Sequence, residues 1–167
     1  SWEACFEEAA TLLPRHLRQN LLALPAEKKT KAEEIRLRVG QPMFLHICGV
    51  EKPMAEYDLV TENDLRLTIE IASQASAHTV LDKVSSGFLT VKGGHRIGIC
   101  GTAMVRGSAV ESMRVLTSLA IRIAKEARGI AEPLIPELLE HGAVQNTLIL
   151  APPGKGKTTL LRDLIRA

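Results

Sequence analysis

The spacing of apolar and polar positions along this 167-residue chain changes several times, and each change predicts an element. Residues 2–13 (WEACFEEAATLL) place Trp2, Cys5, Phe6, Ala9 and Leu13 at helical spacing, which predicts an amphipathic helix. Pro14 breaks or restarts that helix, and HLRQNLLAL predicts a second short one before Pro25. Residues 34–39 (EIRLRV) switch to period two. Ile35, Leu37 and Val39 alternate with Glu34, Arg36 and Arg38, as in a strand with one dry face and one wet face. MFLHIC at 43–48 predicts a second strand after the turn at 40–42. Thr61 then opens a helix running to about Gln74, with Asp64 three residues on as a variant capping box, and a further helix is expected over 79–85.

From Ser86 to Arg128 the pattern is β-prone, punctuated by Gly93-Gly94 and by Arg106-Gly107-Ser108. Glycines at 93, 94, 98 and 101 imply close backbone approach or positive φ angles at bends. LAIRIA at 119–124 alternates again, with Leu119, Ile121 and Ile123 on one side and Arg122 on the other. An antiparallel sheet is expected here, able to share an edge with the 34–48 strands. The pattern then changes character. AEPLIPELLEHG predicts a short helix stopped by Gly142, and NTLILA at 146–151 has the profile of a strand buried on both faces of a parallel sheet. The expected class is α+β. Residues 1–128 form an N-terminal domain of antiparallel sheet and flanking helices, and 131–167 begin an α/β domain.

Composition narrows the class further. With 46% hydrophobic and 24% charged residues the chain is globular, and at 3% aromatic its core rests on Leu, Ile, Val and Ala. No apolar run approaches the roughly 18 residues that a spanning helix needs, and no signal peptide opens the chain, so a soluble protein is expected. Cys5, Cys48 and Cys100 lack any C-x-x-C pair and the five His lack H-x-x-x-H spacing, which argues against a zinc site or a disulfide framework. The net charge of +2 is unevenly spread. Between 86 and 128 stand Lys92, Arg96, Arg106, Arg114, Arg122, Lys125 and Arg128 against Glu111 and Glu126. That excess suits an anionic ligand, an acidic neighbour or nucleic acid. Phe88 is the stretch's one aromatic, which argues against a base-stacking platform.

The chemistry concentrates at the end, in APPGKGKTTLLRDLIRA from 151 to 167. The pattern G-x-x-x-x-G-K-[ST] is met except at its first position, Ala151. Gly154 and Gly156 let backbone N–H groups turn inward around a phosphate, with Lys155 and Thr159 in the same cradle. The helix N-terminus adds free N–H groups and partial positive charge. Lys157 is expected to reach the β- and γ-phosphates of ATP, and the Thr158 hydroxyl to complete the Mg²⁺ shell. Leu160, Leu161, Leu164 and Ile165 supply an apolar stripe. Hydrolysis also needs a second acidic strand for Mg²⁺ and a residue to orient water. These normally follow the loop, so the chain as given is not expected to hydrolyse ATP by itself.

The strings EIRLRVGQP (34–42), SGFLTVKGGHRIGICGTA (86–103), SLAIRIAKEARG (118–129) and PPGKGKTTLLRDLIR resemble the stage III sporulation protein AA family of endospore-forming bacteria, over nearly the whole chain. The resemblance implies a longer protein with the rest of a RecA-like ATPase core after this point. The family is in turn similar to type II and type IV secretion ATPases, which form hexameric rings. It implies a cytoplasmic, mother-cell motor for the channel to the forespore, with membrane proteins of that apparatus as partners and no membrane span of its own. It also implies that arginines near the domain junction approach the γ-phosphate; Arg114 and Arg122 are the candidates, with Arg96 a weaker third. Two other readings stay open: an interaction or oligomerisation module for membrane partners in 1–128, and a basic nucleic-acid-binding domain, which would show steep salt dependence.

Overall fold

A computed structural model describes residues 1–83, 86–107, 109–125, 129–140, 142–153 and 155–166, with the side chains of 103–106 and 109–114 excepted. The chain divides into two compact units, Trp2–Ala124 and Lys125–Ala167. The boundary expected near 128–131 falls partly on residues outside those described.

The first unit opens with three short helices, α1 (Trp2–Ala10), α2 (Arg15–Leu22) and α3 (Ala26–Lys31). Pro14 and Pro25, at φ −54° and −65°, immediately precede α2 and α3, because a fixed φ and a missing N–H cost nothing where a helix begins. Strands β1 (Ala32–Arg38), β2 (Pro42–Ile47) and β3 (Val50–Leu59) follow as an antiparallel meander. Then come α4 (Glu62–Ser73) and α5 (Ala77–Lys83), and a second meander of β4 (Phe88–Thr90), β5 (Arg96–Arg106) and β6 (Ala109–Arg122). β6 lies antiparallel to β1, which joins both meanders into one six-stranded sheet of order β3-β2-β1-β6-β5-β4. The expected antiparallel α+β architecture is therefore present, and the two sets of strands do share an edge.

Period two decides the faces of this sheet. Ile35, Leu37, Leu45, Ile97, Leu119 and Ile121 are fully or almost fully buried, in one cluster with Phe6, Leu13, Leu17 and Leu21 from the first helices and Leu65 and Ile69 from α4. Each such side chain contributes about 1.5–3 kcal/mol relative to exposure. The opposite face stays wet and carries Arg36, Arg38, Phe44, Arg96 and Arg122. The capping box at α4 forms as the sequence predicts: Asp64 N–H donates to Thr61 Oγ1 (3.1 Å) and Thr61 N–H to Asp64 Oδ2 (2.9 Å).

Only part of the glycine expectation holds. Gly93 has φ +81° inside a 3₁₀ turn at Lys92–Gly94, and a Cβ there would stand 2.8 Å from His95 Nε2 and from the Glu8 carboxylate. At Gly98 a Cβ would meet nothing closer than 3.8 Å, so that glycine needs no special backbone or approach.

The second unit contains a 3₁₀ turn at Glu132–Leu134, α6 (Ile135–Leu138), a hairpin of β7 (Leu139–Glu140) with β8 (Ala143–Val144), and α7 (Lys157–Arg166). Gly142, expected as a helix stop, instead lies between the strands of this hairpin at φ +80°. The strand expected at 146–151 is not formed. Residues 146–150 carry no regular structure, with Leu148 80% and Leu150 81% exposed. A strand exists through its ladder, and no described residue pairs with this run.

Candidate nucleotide-binding loop

The loop at 151–158 is shaped by its own residues. Pro152 and Pro153 fix φ and remove two backbone donors. Gly156 takes φ +83°, a left-handed bend with open space where a Cβ would be. The Lys155 N–H donates to Pro152 O (3.3 Å), and α7 starts where the Leu160 N–H donates to Gly156 O (2.9 Å). α7 is ten residues long, and the first N–H groups of a helix have no acceptor within it, which makes its N-terminal turn a natural donor set.

Lys157, at the start of α7, turns its ammonium onto the other limb of the loop and donates to the carbonyls of Ala151 and of Pro152, the latter at 3.0 Å. These acceptors hold a cation at the mouth of the loop. A carboxylate or phosphate oxygen forms stronger, charge-assisted bonds with an ammonium than a carbonyl does, so the arrangement suits exchange for an anion. Ala151 is not among the positive-φ residues, which are Cys48, Ala55 and Gln74 besides glycines, so Ala in place of Gly introduces no backbone strain. Lys155 and Thr158 are exposed and Thr159 is half-buried; Gly154 lies outside the described residues. The expected apolar stripe of α7 is only partly covered, with Leu161 46% and Ile165 85% exposed.

Asp163, which the sequence reading passed over, is the buried charge of α7. Its Oδ1 accepts the N–H of Gly129 (3.1 Å) and its Oδ2 that of Ala131 (2.9 Å). An acid three residues beyond the apolar Leu160 was the available signal, but it reads equally well as a solvated helix residue.

Of the candidate arginines, Arg122 is exposed on the wet face of the first unit's sheet, directly opposite Arg96 of β5 and Glu34 of β1. The Arg96 guanidinium stacks 4.1 Å from the centroid of the Phe88 ring. Arg36 and Arg38 on the same face are bound by Glu51 at 2.8 and 2.9 Å. Among the described residues no carboxylate lies within ion-pair distance of Arg96 or Arg122. Arg114 falls in β6, and its side chain lies outside those described.

Two histidine sites also escaped the sequence reading. His95, in the Gly-Gly-His-Arg string, is fully buried; its Nδ1 accepts the N–H of Ala124 (3.0 Å), and Nε2 has no hydrogen-bond partner among the described residues, with Glu8 Oε2 3.8 Å away. Burial lowers its pKa, and the Glu8 carboxylate only partly offsets this, so His95 is held neutral with the proton on Nε2. His16 sits between Asp58 (3.0 Å) and Asp64 (2.8 Å).

Comparison with known proteins shows the family of the chain. The model of "Sporulation stage III, protein AA" matches residues 5–167. Stage III sporulation protein AA of Bacillus subtilis (strain 168) is 37% identical over 159 residues, covering 95% of this chain and 51% of the relative. The chain thus spans about half the length of the curated relative it matches. Among solved structures, the Legionella pneumophila ATPase DotB aligns with 97% of this chain and 40% of its own, at 16% identity and a TM-score of 0.43. The VirB11 ATPase of the Brucella suis type IV secretion system, solved with sulphate, aligns with 99% of this chain and 44% of its own, at 16% identity and a TM-score of 0.36.

Proposed function

The chain belongs to the sporulation stage III, protein AA family, and on that premise we propose that its second unit opens a nucleotide-binding ATPase core. One observation carries the reading: the Lys157 ammonium is gathered by the carbonyls of Ala151 and Pro152 at the mouth of a glycine-containing loop, at the N-terminal turn of α7. A cation at the N-terminal turn of a helix, on one small loop, suits a polyphosphate. In this reading Lys155, Gly156, Lys157 and Thr159 hold the phosphates of ATP, Gly154 completes the cradle, and the Thr158 hydroxyl serves Mg²⁺. When bound, ATP supplies a phosphoanhydride whose cleavage can drive movement.

Arg122 is proposed as the residue of the first unit that meets the γ-phosphate in the assembled protein, and Arg114 as the second candidate. The full-length protein would act as a ring oligomer on the mother-cell side, powering the channel to the forespore through contacts with its membrane proteins. Among the described residues no helix is long and apolar enough to cross a membrane. Calorimetric titration of ATP with Mg²⁺ against wild type and Lys157→Ala tests the site. Binding that Lys157→Ala abolishes supports it, and no binding, or binding indifferent to that change, removes it.

A second reading has its own support. The wet face of the six-stranded sheet, with Arg96 and Arg122 lacking a carboxylate partner among the described residues, suits an acidic docking partner for an interaction or oligomerisation module.

A further inference from the structure

Asp163 stands six residues after Lys157 on the same helix and is 6% exposed. A carboxylate is not left buried without partners, and this one spends both oxygens on the backbone of a single short segment, the N–H groups of Gly129 and Ala131. That segment is itself tightly built. Gly129 bends at φ +77°, Ala131 is fully buried, and the Leu134 N–H closes onto Ala131 O at 2.9 Å to start the 3₁₀ turn. In sequence, residue 129 comes five positions after Ala124, the last residue of the first unit. The helix that carries the loop lysine therefore also grips the stretch by which the chain enters the second unit.

We propose that Asp163 is a positioning residue that transmits occupancy of the phosphate loop to this entry segment at 129–131. The inference rests on the nucleotide-binding reading. A ligand that draws the Lys157 ammonium off the Ala151 and Pro152 carbonyls re-seats the N-terminal turn of α7. A helix of this length moves as a rigid element, so its second half carries Asp163 along. Two charge-assisted bonds to one short stretch of backbone convey that shift to residues 129 and 131. The coupling is reciprocal: whatever displaces the entry segment changes the affinity of the loop by the same factor.

Hydrogen exchange in the full-length natural protein tests this, with a non-hydrolysable ATP analogue and Mg²⁺ as the probe. In the wild type the analogue should slow exchange of the 129 and 131 amides about fivefold or more. In Asp163→Asn, which keeps the shape and one acceptor oxygen, that slowing should fall below about twofold while the analogue still binds. A wild type that binds the analogue without any slowing at 129 and 131 overturns the coupling and leaves the nucleotide reading standing. Full slowing retained in Asp163→Asn likewise overturns it. A wild type that does not bind, matching Lys157→Ala, overturns the nucleotide reading and the coupling together. Should Asp163→Asn fail to fold, the wild-type measurement alone still decides.

Discussion

Nε2 of His16 lies 2.8 Å from Oδ1 of Asp64, which joins α2 to the first turn of α4. The other ring nitrogen is 3.0 Å from Asp58 Oδ1 in β3, and Asn20 Nδ2 donates to Asp58 Oδ2 at 3.1 Å. A ring with a carboxylate at each nitrogen is held best as the imidazolium. The bond to Asp64 raises the His16 pKa most, burial works against it, and Asp58 raises it further. For Asp64, burial pushes the pKa up, but His16 and the Thr61 cap outweigh it and hold it below its usual value.

These directions fix a pH window. His16 is raised above the ordinary histidine value of 6.5, so its contribution is complete below pH 6.5 and lost as pH rises through the folded value. Asp64 is lowered from 3.8, so its contribution is present above pH 3.8 and lost as pH falls through the folded value. The stability difference between wild type and His16→Gln should therefore be greatest between about pH 4 and 6.5 and shrink at alkaline pH. Thermal melts across pH measure it; a difference that is flat with pH would sink the assignment.

Gly93→Ala should destabilise more than Gly94→Ala, although both backbones are left-handed. At Gly94 a Cβ meets only Ala124 Cβ at 3.7 Å, so the cost is conformational, about 1 kcal/mol. At Gly93 the new methyl stands 2.8 Å from His95 Nε2, and that ring is fully buried and tied to Ala124. Glu8 can swing away and His95 cannot, so an additional loss of about 1–3 kcal/mol is expected. Urea melts of the two variants decide the order, and equal losses would contradict the role given to His95.

What the sequence made legible follows from how local each cause is. The alternation of Ile35 and Leu37 and of Leu119 and Ile121, and the Thr61–Asp64 cap, are written in adjacent residues and were found. β3 was missed for two reasons. Its hairpin turns on Cys48-Gly49 at φ +49° and +78°, where the expected Asn-Gly signal is absent, and as an edge strand it carries Glu51, Lys52, Pro53 and Asp58, which mask a strand pattern while protecting the edge. The 146–151 strand was over-read because apolar character alone cannot supply a ladder partner. His16 with Asp64, and Asp163 with Gly129, join residues 48 and 34 positions apart, which no local pattern reports.

Ile121 offers a direct test of the sheet's register. It faces Ile35 of β1 on one side and Ile97 of β5 on the other, all three at 0% exposure. Truncation at this central position should leave a cavity that neither neighbouring strand can close. Ile121→Ala should cost about 2–5 kcal/mol and Ile121→Val about 0.5–1.5, read from denaturant midpoints. Losses below about 1 kcal/mol for Ile121→Ala would place the strand in another register.

Arg122 separates the catalytic proposal from a structural role. It lies on an exposed strand face between Arg96, a like charge, and Glu34, an opposite one, and each such cross-strand pair is worth about 0.2–1 kcal/mol in opposing directions. Arg122→Gln should therefore leave stability within about 0.5 kcal/mol of wild type or raise it slightly. A γ-phosphate arginine is worth about 10³–10⁵ in rate, so ATP turnover by the full-length protein should fall by about 10³ or more. Binding of a non-hydrolysable analogue should change little, because that contact forms chiefly with the charge of the transition state. Arg96→Gln is the matched control: its guanidinium rests on Phe88, and its loss should weaken packing slightly without a comparable fall in turnover. If Arg122→Gln retains turnover, or if both variants lose it in proportion to stability, Arg122 is a surface residue of the docking face and the γ-phosphate role passes to Arg114.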